Sequence, residues 1–216
     1  MGIGRFDSLL LLSFGGPEGP DEVMPFLRNV TKGRGVPDER LAVVAEQYAL
    51  FGGKSPINDL NRDLLRSLEE ELAERGHDVP AFWGNRNWHP LVSDVVETLQ
   101  TQGHKSTICL VTSAFSSYSG CRQYREDLER ARSQVRDAPE IHKARVFWNH
   151  PDFLGTAAEL LADSRDAANL SKQTPVLHTA HSLPISMAAT SDYEHQLKEA
   201  AQIVHDLAGM EGTHEV

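Results

Sequence analysis

The chain has 216 residues, 40% of them hydrophobic and 24% charged, and a formal net charge of -10. That is enough chain for a sizeable core, and its composition is that of an ordinary globular protein. The acidic balance argues against broad nucleic-acid binding, although a local basic cluster can still take an anionic ligand.

Two cysteines, Cys109 and Cys121, are too few and too isolated for a disulfide framework or a CxxC metal site. Cys109 lies in the apolar run ICLVT and reads as core. No apolar run reaches the roughly 18 residues of a membrane span. The apolar run near the start is short and follows Asp7, unlike a signal peptide, so a cytoplasmic protein is expected.

The first element is SLLLLSF, Ser8 to Phe14, stopped by Gly15, Gly16 and Pro17. A continuous apolar run of this length with breakers predicts a buried parallel strand. The glycines suit either a close backbone approach to a ligand or a plain turn. Pro20-Asp21-Glu22 opens a helix through about Val30, with proline and acids where a helix start favours them. Thr31 to Gly35 (TKGRG) reads as a flexible basic loop.

Asp38 to Phe51 has Leu41, Val44, Ala45, Tyr48 and Ala49 at helical spacing. Gly52 to Pro56 breaks it. Asn58 to Arg75 predicts a long amphipathic helix with Leu60, Leu64, Leu68 and Leu72 as its apolar stripe, ended by Gly76. Val79 to Gly84 reads as a strand leading into Asn85-Arg86-Asn87-Trp88-His89-Pro90. A helix with Leu91, Val92, Val95, Val96 and Leu99 inward follows, then a strand at Thr107 to Thr112.

The loop Ser113 to Gly120 is rich in small residues and carries Phe115 and Tyr118. Helices are expected at Cys121 to Val135, Asp152 to Ala167 and Asp192 to about Ala208. Strands are expected at Ala144 to Trp148 and Pro175 to Ala180. Strand and helix alternate, which predicts an α/β fold with a Rossmann-like parallel sheet of about four or five strands flanked by helices. One domain, 1-209, with a tail at 210-216, is the expected organisation.

Gly15-Gly16-Pro17 lacks the GxGxxG spacing of a dinucleotide loop. The chemistry concentrates instead in LHTAHSLPISM, Leu177 to Met187. Its histidine, His181, is expected just past a strand, where open α/β sheets bind their ligands, with Pro184 barring continuation. The loops after the strands also offer the aromatics Phe14, Trp88, Phe115 and Tyr118, hydroxyls and a few cations. Such a set suits a flat, apolar, partly anionic ligand.

SFGGPEGPDEV, QYALFGGKSPIND, SAFSSYSGCRQYRED and HTAHSLP occur in the same order as in ferrochelatases. From about Ser8 to Gly209 the chain resembles that family, most closely the actinobacterial type taken to insert iron into coproporphyrin III. The resemblance implies one half of a class II chelatase fold and a porphyrin substrate, coproporphyrin III or protoporphyrin IX. It implies Fe²⁺ as substrate and His181 as the residue that binds the metal and abstracts porphyrin protons.

A neutral imidazole suits both tasks: it ligates Fe²⁺, and its unperturbed pKa of about 6.5 fits proton abstraction near neutrality. The resemblance also implies substrate contacts from Phe14 by stacking, from the loop residues Thr31, Lys32 and Arg34, and from Ser55 and Tyr124 to propionates. Lys54 is a possible helper, and Arg86 and Asn87 fall near the ring. His178 reads as structural.

Ferrochelatases resemble two α/β halves and run well beyond this length. The partner glutamate and the cysteines of any [2Fe-2S] cluster are expected in the other half, so no cluster is expected from this one. Three readings stay open: an enzyme half that packs against a C-terminal domain, a half-size chelatase acting as a homodimer, or a porphyrin-binding protein without turnover.

Overall fold

A computed structural model describes residues 4-216. The chain divides into two compact units. The first comprises residues up to 112 together with 124-144; the second comprises 113-123 and 145-216.

In the first unit, strand β1 (Ser8–Ser13) is buried along its whole length. It is bracketed by β2 (Ala81–Asn85) and β3 (Ser106–Val111), and β4 (Glu140–Lys143) adds to β3. All pairings are parallel, in the order β2-β1-β3-β4. The fold is thus α/β with a four-stranded parallel sheet flanked by helices.

The register sets Leu10 beside Cys109 and Leu12 beside Val111, on one face. Helix α4 (Val92–Thr101) covers that face with Val92, Val95, Val96 and Leu99. Helix α5 (Gln123–Ser133) adds Tyr124, Leu128 and Ala131 to the same core. Burial pushes the Cys109 thiol up to about 12, so it stays protonated and behaves as a small apolar residue.

A second cluster joins α1 (Pro20–Val30) to α2 (Asp38–Ala49) through Val23, Phe26, Leu27 and Leu41. The α3 helix (Ile57–Glu74) forms as expected but turns the other face inward. Leu60 and Leu64 are exposed, whereas Asn58 and Asn61 are buried. Asn58 is affordable inside because its amide is satisfied: Nδ2 donates to the Gly16 carbonyl at 3.0 Å and to Glu18 at 2.9 Å.

Two strands differ from the sequence expectation. The strand expected at Ala144 to Trp148 lies earlier, at Glu140–Lys143. Its sequence, EIHK, has no apolar run because it is an edge strand, bonded only to β3. The strand expected at Pro175 to Ala180 shrinks to β5, Val176–Leu177, and is not part of the four-stranded sheet.

In the second unit β5 pairs in parallel with β6 (His214–Glu215), a segment read from sequence as tail. Helices α6 (Pro151–Ala167), α7 (Ile185–Ala188) and α8 (Tyr193–Leu207) complete this unit. Ala158, Ala208 and Met210 form its core, so the residues after 209 are partly built in. A π-helical turn, Tyr118–Arg122, leads into α5. No helix among the described residues is long and apolar enough to cross a membrane.

Candidate functional site

The strand order places β1 between a neighbour reached in one direction, β2, and another reached in the opposite direction, β3. Ligands of doubly wound sheets bind outside the carboxyl end of such a strand. Phe14 is the residue there. The following loop of β2 fixes its backbone: Asn87 donates to the Phe14 carbonyl from its N–H at 3.1 Å and from Nδ2 at 3.2 Å.

The exposed Phe14 ring meets Phe26 edge-on at 6.3 Å. Phe26 in turn contacts Tyr48 at 6.2 Å and Trp88 at 5.9 Å. Trp88 is oriented by its Nε1, which donates to Glu22 at 2.7 Å. These contacts make a continuous aromatic wall in the first unit.

Tyr48 continues that wall into a cavity of about 740 Å³, whose lining includes Val44, Phe51, Lys54, Ser55 and Asp59. This volume lies in the range of small-molecule and cofactor pockets. Its surroundings are an aromatic and aliphatic wall on α2 with a hydroxyl and an ammonium where α3 begins.

The glycines after β1 serve this junction. A Cβ on Gly16 would sit 2.7 Å from Ser55 Cβ, and the Ser55 N–H donates to the Pro17 carbonyl at 2.8 Å. The close approach that the sequence offered to a ligand is therefore made to Ser55.

Thr31, Lys32 and Arg34 occupy the loop between α1 and α2. The Thr31 hydroxyl donates to the Leu27 carbonyl at 2.7 Å, so it caps α1. Lys32 and Arg34 are exposed, and Gly33 and Gly35, with φ of 79° and 65°, set the loop's path. Tyr124 is buried at 4% exposure, and burial pushes its hydroxyl up to about 12. It faces the guanidinium of Arg86 at 4.9 Å, and Arg86 pairs with Asp127 at 2.9 Å.

The loops expected to share one rim divide between the units: those after β1 and β2 in the first, Ser113 to Gly120 and His181 to Pro184 in the second. Within the second unit His181 is exposed in the loop before α7. Its carbonyl accepts a bond from the Tyr193 hydroxyl at 3.1 Å, which ties the loop to α8. The same Tyr193 ring packs edge-on against Phe115 at 6.3 Å, and Phe115 also meets Phe153.

Buried Gln196, one turn along α8, receives the Ser116 N–H at 2.8 Å and donates to the Ser116 hydroxyl at 2.6 Å. Helix α8 thus anchors both loops of its unit.

His178 directly follows β5. Its N–H donates to the Glu215 carbonyl at 2.8 Å, and its ring stands 5.9 Å from that of His214. Burial, then the nearby imidazoles of His214 and His205, lower its pKa. Among the described residues no group of three or more histidines, cysteines or carboxylates is arranged to hold a metal ion.

Sequence reasoning missed Tyr48 and Asp59 as cavity residues and Tyr193 and Gln196 as supports. Tyr48 sits at a core-facing helical position and so reads as packing. Asp59 was detectable: an acid in the first turn of α3, close after Lys54, is placed to pair with it.

These features define an α/β protein with a cavity walled in part by aromatic side chains, close to the loop that follows the central strand of its sheet. Residues 7–216 match the ferrochelatase family profile, and the chain belongs to the ferrochelatase family. It is 47% identical over 206 residues to a ferrochelatase of Rhodopirellula baltica, covering 94% of this chain and 59% of that protein. It is 47% identical over 210 residues to the coproporphyrin III ferrochelatase of Mycolicibacterium smegmatis, covering 94% and 62%. With that of Frankia alni it shares 49% over 224 residues, covering 96% and 55%. The chain therefore spans little more than half the length of these relatives.

Proposed function

We propose that this chain is the porphyrin-binding and metal-delivering part of a ferrochelatase that inserts Fe²⁺ into coproporphyrin III. The observation that carries this reading is the exposed His181 in HTAHSLP, within a chain that matches the family over residues 7–216. The names of the actinobacterial relatives favour coproporphyrin III as substrate.

Insertion replaces two porphyrin N–H bonds by four N–Fe bonds and releases two protons. The neutral His181 imidazole has one free lone pair, so the two tasks are sequential. It ligates the incoming Fe²⁺, and once the metal has passed to the ring nitrogens the freed lone pair accepts a porphyrin proton and passes it to water before taking the next. Tyr193 supports the reading because it holds the His181 backbone through the carbonyl and leaves the imidazole nitrogens to the chemistry.

Substrate binding is assigned to the first unit. Phe14 stacks on the ring, and Ser55, assisted by Lys54, binds a propionate. Lys32, Arg34 and the Thr31 loop attract the remaining carboxylates from the surface. Tyr124, largely enclosed with its ring 4.9 Å from the Arg86 guanidinium, contributes its hydroxyl to a propionate in this reading.

The test is anaerobic Fe²⁺ or Zn²⁺ insertion into coproporphyrin III, followed by absorbance, with His181→Ala alongside. Turnover that falls roughly 100-fold or more in the variant supports the assignment. Equal turnover in both proteins overturns the role of His181. Porphyrin binding without metal insertion in either protein is the outcome expected of a binding half whose chemistry needs the remainder of a ferrochelatase.

A further inference from the structure

The wall of the first unit's cavity contains an ion pair. Lys54 Nζ lies 2.5 Å from Asp59 Oδ2, and both residues line the cavity. Gly52 and Gly53, at φ of 69° and 73°, turn the chain after α2, so that Lys54 stands just before α3 and Asp59 in its first turn. Asp59 has a second cation: Arg62 Nη1 donates to its Oδ1 at 2.6 Å, and Arg62 also pairs with Glu18.

Half-exposed pairs of this kind contribute little to stability and exchange partners readily. A carboxylate ligand entering the cavity thus meets an ammonium already occupied by a carboxylate. When Lys54 leaves, Asp59 is not stranded, because Arg62 remains. The exchange therefore creates no unpaired charge.

We propose that Asp59 sets the cavity's affinity for carboxylate-bearing porphyrins, holding Lys54 in the wall and competing with the ligand's carboxylate for it. The inference rests on the porphyrin reading of the same cavity. Asp59 is here a positioning and specificity residue: it keeps Lys54 ordered in the wall and makes the cavity close to neutral until a carboxylate displaces it. Arg62 tunes the exchange, because it draws Asp59 away from Lys54.

The experiment is a low-salt absorbance titration of the whole chain with coproporphyrin III and with its uncharged tetramethyl ester. Asp59→Asn is expected to bind the acid about threefold to tenfold tighter than wild type, and the ester no tighter. The gain shrinks as ionic strength rises, because the new charge is screened. Arg62→Gln, which leaves Asp59 entirely to Lys54, is expected to shift affinity the opposite way. Opposite shifts from two variants do not arise from a shared loss of fold. In a Lys54→Met background Asp59→Asn is expected to give no gain.

Wild-type binding with an unchanged or weakened Asp59→Asn variant overturns the proposal alone. So does a gain that persists with the ester or without Lys54. Failure of the wild type to bind acid or ester overturns the porphyrin reading and this proposal with it.

Discussion

Arg86 and Asp127 form a buried ion pair at 2.9 Å, both side chains at or below 10% exposure. The guanidinium faces the Tyr124 ring at 4.9 Å and the Phe14 ring at 6.0 Å. Arg130 adds a second cation to Asp127 at 3.1 Å from the solvent side. The ring offered at the end of β1 is thus backed by a charge pair rooted in α5.

Arg86→Met is expected to destabilise the chain by about 3–5 kcal/mol, because it leaves Asp127 buried with one exposed partner. Adding Asp127→Leu is expected to recover part of that loss, since the stranded charge goes with it. Urea denaturation of the two variants measures both numbers. A double variant no better than the single one shows that Arg86 acts through ring stacking in place of charge.

Gly16→Ala tests the contact between the β1 loop and the cavity. Its new methyl would meet Ser55 Cβ at 2.7 Å and Ile57 Cγ2 at 2.9 Å, so the start of α3 has to move. The expected outcome is a cost of about 1–3 kcal/mol from overpacking together with weaker coproporphyrin binding. Gly19→Ala, where an added Cβ meets nothing within 4 Å, is the control and is expected to leave binding unchanged.

Leu10→Ala probes the sheet core. Leu10 has no exposed surface and packs between α4 and α5. A loss of about 2–5 kcal/mol is expected, read as a lower urea midpoint with an unchanged slope.

The pH dependence of the second unit follows from His178. Its folded pKa lies below the unfolded value of about 6.5, so the folded state favours neutral imidazole. The associated stability is complete above about pH 6.5 and is lost as pH falls through the lowered value, because the unfolded chain binds the proton first. His178→Phe is expected to flatten stability between about pH 7 and pH 5. An unchanged acid limb in that variant assigns the sensitivity to another group.

The sheet was legible because SLLLLSF and ICLV are apolar runs: β1 is buried on both faces, and β3 alternates buried with half-buried residues. β4 was not, since an edge strand that pairs on one side needs no apolar signature. The α3 stripe misled for a related reason. Leucines at helical spacing state which face is apolar, whereas Asn58 earns its burial through partners far away in sequence, Gly16 and Asn85.

His181 is singled out by its motif alone. Its support by Tyr193 was hidden, because a hydroxyl bonding a carbonyl leaves no pattern along the chain. Tyr124 shows the converse. Its motif suggests a ligand contact, and its enclosure in the core beside α5 is visible only in the packing.

The chain enters the second unit at 113, returns to the first at 124, and leaves it again at 145. During synthesis the first unit therefore cannot close when β3 emerges. Tyr124, Leu128 and Ala131 of its core, and the edge strand β4, are still to come, and a stretch destined for the other unit emerges before them. The nascent sheet must wait with the face that α4 begins to cover still incomplete until α5 has left the ribosome. The chain crossings at 113, 124 and 145 are therefore poor places to cut the chain in two.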